Sequence, residues 1–140
     1  MIQITHQAHE RMCMHAEESF PFEVCGFLIG KEGCITRISR SKNVTEDDAR
    51  DRFELDPAAH LRLQRELREN GKGERILGIY HSHPESAAEP SAHDIARSTE
   101  PEMLWVIMSV RANMVQEVRV FTQLGSGITY QELPLDILDD

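Results

Sequence analysis

Residues Leu104 to Val110 read Leu-Trp-Val-Ile-Met-Ser-Val, and residues Val24 to Ile29 read Val-Cys-Gly-Phe-Leu-Ile. Each run is too short for an ordinary globular helix and has no polar face, the pattern of a strand buried within a sheet. The first has the look of a central strand. A sheet holding such strands needs other elements packed on it, and the remaining pattern supplies them.

Ile2 to Ile4 forms a short first strand, and Thr5 is an N-cap for a helix running to about Ser19, where Pro21 stops it. Ala8, Met12, Ala16 and Phe20 recur every four residues along it. Gly30 to Gly33 is a turn leading to a partner strand over Cys34 to Arg40, giving a hairpin. Ser41 to Arg52 is polar and reads as a loop, with Phe53-Glu54-Leu55 a brief strand after it. Asp56-Pro57 is a helix start, with Asp at the N-cap and Pro in the first turn. That helix passes Leu61, Leu63 and Leu67 and stops at Asn70-Gly71. Arg75 to Ser82 is the next strand, Pro84 to Pro90 a loop, and Ser91 opens a third helix ending near Pro101. Glu117 to Phe121 and Ile128 to Leu133 alternate as two final strands around Gly125-Ser126-Gly127. The expected fold class is α/β (mixed α+β), a single mixed sheet flanked by helices. Without repeats or linkers, residues 1–140 read as one domain.

The formal net charge of −9 argues against a protein that grips nucleic acid, which needs clustered Lys and Arg. No apolar run reaches the roughly 18 residues of a membrane span. The N-terminus lacks the pattern of a secretory signal, which points to a cytoplasmic protein. Cys13, Cys25 and Cys34 have no short repeat spacing and read as reduced, mostly buried thiols.

The chemistry concentrates in Ile79-Tyr80-His81-Ser82-His83-Pro84 and Pro90-Ser91-Ala92-His93-Asp94. On a strand, residues i and i+2 project from one face, so His81 and His83 converge on one point near the strand end. Asp94, one turn into the third helix, adds a carboxylate. Two His and one carboxylate with a free fourth position form the ligand set of a catalytic zinc. Such a site needs a carboxylate near the metal to move the proton of the attacking water. Glu23, a charge beside the apolar run Val24 to Gly30, is the candidate. Taken singly, Asp94 and Ser91 have the spacing of a helix cap, and Glu23 that of a solvated strand end. One site explains them together.

His81-Ser82-His83-Pro84, the ten residues between His83 and Asp94, Pro90-Ser91-x-x-Asp94 and the upstream Glu23-x-Cys25-Gly26-x-Leu28-x-Gly30 resemble the JAMM, or MPN-plus, metallopeptidases. The resemblance is clear from Phe22 to Ser98 and looser over the rest. It implies zinc held by His81, His83 and Asp94, Glu23 as general acid/base, and Ser91 as an oxyanion donor. It implies a fold resembling that of cytidine deaminases. It also implies hydrolysis of the peptide or isopeptide bond after the C-terminal glycine of a ubiquitin-like protein. Ile79 stands where many eukaryotic members have Trp. The compact length and Ser98-Thr99-Glu100-Pro101 look more like bacterial members, which act on the C-terminal tails of small sulfur-carrier proteins. An extended tail pairing with a strand or hairpin edge is one route to recognition.

Two other readings stand beside this one. A non-catalytic MPN-like scaffold usually lacks a ligand, and this chain lacks none. A deaminase places His-x-Glu and Pro-Cys-x-x-Cys around zinc, and no Pro-Cys-x-x-Cys occurs here. Of the remaining histidines, His6, His9, His15 and His60 read as exposed polar residues. His93 points about 100° away from Asp94 on a helix. Trp105 and Met108 read as core.

Overall fold

The computed structural model describes residues 1–91, 103–124 and 129–139. The expected helix after Ser91, with His93 and Asp94 on it, lies outside the described residues, as does the Gly125-Ser126-Gly127 connection.

The elements run β1 (Ile2–Ile4), α1 (His6–Ser19), β2 (Cys25–Lys31), β3 (Cys34–Ser41), α2 (Pro57–Asn70), β4 (Arg75–Pro84), β5 (Leu104–Arg111), β6 (Met114–Leu124), β7 (Thr129–Leu133) and β8 (Leu135–Ile137). All eight strands join one mixed sheet in the order β7-β6-β5-β4-β2-β3-β1-β8. The two apolar runs become β2 and β5, which flank β4 on its two sides. Their buried character follows: every residue of β5 from Leu104 to Val110 is buried, as is β2 from Cys25 to Gly30.

β2 and β4 pair antiparallel with Cys25 opposite His81, while β4 and β5 pair parallel from Gly78–Leu104 to Pro84–Val110. The parallel pairing carries β4 through His83 and Pro84, two residues beyond the strand end expected from sequence. A Cβ on Gly78 would fall on the Leu104 backbone, so this close approach of two strands requires glycine.

Alternation along β4 separates two faces. Tyr80 faces α1, whose Ala8, Met12 and Ala16 pack with Val24, Leu28, Val106 and Met108 in the larger core. Ile79 faces the other way, towards Phe27, Ile29 and Leu63 of α2 and towards the cluster of Cys25, Phe53, Trp105, Ile107 and Phe121. Both helices begin as their sequences dictate. Thr5 Oγ1 accepts from Ala8 N at 3.2 Å, and Asp56 Oδ1 accepts from Ala58 N at 3.0 Å.

Several expectations are corrected. Phe53 to Leu55 is not a strand but contributes one isolated bridge, Asn43 to Leu55, because Phe53 turns inward to the aromatic cluster. β6 begins at Met114, three residues early. Ala112 and Asn113 both adopt positive φ (52° and 70°), the geometry of a two-residue hairpin turn that lets pairing start at once. β8, not anticipated, pairs parallel with β1. Of the three leucines along α2, Leu63 is buried, Leu67 half-buried and Leu61 exposed. Of the cysteines, Cys25 is buried, while Cys13 and Cys34 are half-buried.

His15 is buried, against the expectation that it is exposed, because Nδ1 shares a 2.8 Å hydrogen bond with the Tyr80 hydroxyl beneath α1. Burial first, and then the nearby Arg40, lower its pKa from 6.5 to about 4, against a smaller upward pull from Glu18. Burial also pushes the Tyr80 phenol up, so both partners stay neutral at pH 7. The folded state resists protonation of His15 and the unfolded chain does not. Its contribution is therefore whole above about pH 6.5 and disappears as pH falls toward the folded value. Urea unfolding at about pH 7 and about pH 4.5 should show wild type losing on the order of 2–3 kcal/mol more than His15→Gln. Equal losses in the two proteins would refute the account.

Candidate metal centre and active site

β4 presents His81 and His83 on one face, and the chain just before β2 presents Glu23 beside them. The three residues are buried, and one ligand atom from each lies within 4.8 Å of the others. The two imidazoles face each other, Nε2 to Nε2, at 3.1 Å.

Each ring is held by a different device. His81 is fully buried, stacked on Phe53 with centroids 4.4 Å apart and planes 18° apart, and Trp105 meets it edge-on at 5.6 Å. His83 Nδ1 donates to Ala87 O at 2.8 Å, which places the proton on Nδ1 and leaves Nε2 as a lone pair. The segment after β4 is therefore part of the site. Glu85 takes a positive φ of 60° and its N–H bonds to Val110 O at 2.7 Å. This turns the chain so that Ala87 faces back to His83. Ala88 is fully buried in the aromatic cluster and anchors the return.

Glu23 is held through its backbone from two sides. Its N–H donates to Ala49 O at 2.7 Å, and its carbonyl accepts from Asn43 Nδ2 at 3.2 Å. The next residue joins β4 directly. Val24 N–H donates to Ser82 Oγ at 2.9 Å, and Ser82 N–H returns a bond to Val24 O at 3.1 Å. The serine between the two histidines thus faces the opposite side of the sheet and fixes the backbone that carries Glu23.

A carboxylate only 6% exposed beside two histidines has lost most of its hydration, a cost that a bound cation offsets. The donor set suits one. A tetrahedral zinc with Zn–N of about 2.0–2.1 Å spaces two nitrogens roughly 3.3 Å apart. The observed 3.1 Å separation and the lone pair on His83 Nε2 fit that group.

Glu23, His81 and His83 are thus brought together as the sequence led us to expect. Ser91 lines one pocket with Glu23 and His83. Asp94 lies outside the described residues. Trp105 and Met108 are core, as expected, with Trp105 also walling His81. Sequence reasoning missed Phe53, Asn43 and the segment 48–52, which it read as an ordinary polar loop. Asn43 was the available signal. Its Oδ1 accepts from Thr45 N and Glu54 N at 3.2 and 3.0 Å, an Asx turn that orders the loop.

Residues 5–122 match the family described as prokaryotic homologs of the JAB domain, so the chain belongs to that prokaryotic branch of the JAMM/MPN family. It is 31% identical over 129 residues to the CysO-cysteine peptidase of Mycobacterium tuberculosis, covering 91% of this chain and 85% of that one. It is 33% identical over 113 residues to the desampylase of Haloferax volcanii, covering 76% and 79%. A solution structure of a Desulfitobacterium hafniense protein superposes with a TM-score of 0.85 at 28% identity, covering 100% of this chain and 94% of that one. Among the described residues, no helix is long and apolar enough to cross a membrane.

Replacing Ser82 separates the scaffold from the chemistry. Ser82→Ala leaves the buried Val24 N–H without its acceptor, a loss of about 1–3 kcal/mol. Urea unfolding should register that loss, metal content should be unchanged, and turnover should fall, with Ser82→Thr restoring both stability and rate. Full activity in Ser82→Ala would disprove the link to Glu23.

Proposed function

We propose that the chain is a zinc-dependent peptidase. It cleaves the peptide or isopeptide bond after the C-terminal glycine of a small ubiquitin-like or sulfur-carrier protein. The observation that carries this reading is the buried Glu23 carboxylate set against the converging Nε2 atoms of His81 and His83. The carrier substrate is supported by the activities named for the two relatives, a CysO-cysteine peptidase and a desampylase.

His81, His83 and Asp94 are the residues that would hold zinc. When bound, zinc lowers the pKa of a coordinated water to about 7 and makes it a nucleophile at neutral pH. Glu23 takes one proton from the attacking water as the C–O bond forms, then delivers it to the nitrogen as the C–N bond breaks. Ser91 donates its hydroxyl to the oxygen on which negative charge develops. Burial of Glu23 keeps bulk water from competing for that proton. The carrier tail cannot extend the sheet at β4, whose two sides are taken by β2 and β5. Among the described residues, the sheet edges belong to β7 and β8.

Metal content and turnover test this jointly. Wild type should carry about one zinc per chain by mass spectrometry. His83→Ala should lose it. Glu23→Gln should keep zinc and fold while hydrolysis of a carrier conjugate falls on the order of 10²–10⁴-fold. Turnover retained in Glu23→Gln would remove that residue from its role. A wild type that stays free of zinc after reconstitution would return the scaffold reading.

A further inference from the structure

A pocket of about 240 Å³ opens beside Glu23 and His83, and its remaining wall includes Ser91, Arg50, Asp51 and Arg52. Two guanidinium groups beside the same small pocket are notable in a chain of net charge −9. The volume falls below the roughly 300–1,000 Å³ of pockets for drug-sized ligands, which suits one small residue and not a folded partner.

The position of these arginines is built in. Asn43 Nδ2 donates to Glu23 O at 3.2 Å and to Arg52 O at 2.9 Å, so one side-chain amide joins the two main chains. Ala49 O, which accepts from Glu23 N at 2.7 Å, ties down the same loop one residue before Arg50.

The arginines are engaged unequally. Asp48 grips Arg50 through Nε and Nη2 at 2.8–3.2 Å, leaving Nη1. Arg52 bonds only through Nη1, at 3.1 Å to both Asp51 O and Asp51 Oδ2. Among the described residues, nothing engages Arg52 Nε and Nη2, the edge that receives a carboxylate as a two-pronged fork. Asp51 holds the other edge, and Arg52 is only 28% exposed.

We infer that Arg52, with Arg50 beside it, binds the free α-carboxylate of the departing group. The substrate would then end in a single C-terminal α-amino acid joined to the carrier's glycine. This rests on the hydrolytic reading above and narrows it. The leaving nitrogen has to lie against Glu23 to receive its proton. In an α-amino acid the carboxylate sits two bonds from that nitrogen, on the wall Arg52 provides. A lysine side chain joined through its ε-nitrogen has no carboxylate there.

The test compares a tail peptide ending Gly-Gly-Ala as the free acid with the same peptide as its C-terminal amide. Calorimetry on zinc-loaded Glu23→Gln measures binding, and wild type measures hydrolysis. The free acid should bind about tenfold or more tightly than the amide. That ratio should fall to about one with Arg52→Gln added and lie between with Arg52→Lys, which keeps the charge but not the fork. The kcat/KM ratio of acid to amide should follow the same order. Equal binding of acid and amide, no binding of either, or a preference that survives Arg52→Gln would overturn the assignment. An acid preference lost in Arg52→Gln, with neither peptide hydrolysed by wild type, would leave the carboxylate site standing and remove the peptidase reading.

Discussion

The Val24–Ser82 pair of hydrogen bonds is the joint on which the site depends. It fastens the chain entering β2 to the strand that carries both histidines, so a carboxylate and two imidazoles distant in sequence are set by one contact. A serine between the two histidines does this without occupying the site, because alternation along β4 sends it to the opposite face of the sheet. The parallel pairing of β4 with β5 supplies the other half of the restraint. It keeps the strand regular through His83, where an unpaired strand end would fray. Buried apolar strands on both sides thus give a rigid support to polar groups that would otherwise favour water.

The electrostatics follow from that rigidity. A carboxylate and two imidazoles are gathered where hydration is poor, with the proton of His83 directed to Ala87 O and away from its neighbour. Phe53 and Trp105 fix the His81 ring by stacking and edge contact, which excludes water from it. The result is a cluster of one carboxylate and two imidazole donors whose natural complement is a cation.

Much of this was legible in the sequence. The strands β2 and β5 announced themselves as apolar runs, the two helix starts as Thr5 and as Asp56-Pro57, and the pairing of His81 with His83 as a period of two. What escaped was whatever depends on partners far along the chain. β8 has only three residues, and its strand character comes from pairing with β1. Phe53 looked like a strand residue because its apolar character is local, whereas its place over His81 is tertiary. His15 looked like one more polar residue on α1, and only the Tyr80 hydroxyl across the core explains its burial. The wall formed by residues 50–52 gave no periodic signal, since its order comes from the Asn43 amide and not from a repeating pattern.

The pairing of β1 with β8 brings the two termini of the described chain to one edge of the sheet. Four strand spacings separate β8 from β4, roughly 19 Å at about 4.8 Å each. A short linker could close the ends into a ring, and the chain could be reopened at a surface turn such as Ala112-Asn113. The molecule is therefore a natural host for circular permutation. A domain appended at either end would be tethered to the margin of the sheet, four strands away from the one that carries His81 and His83.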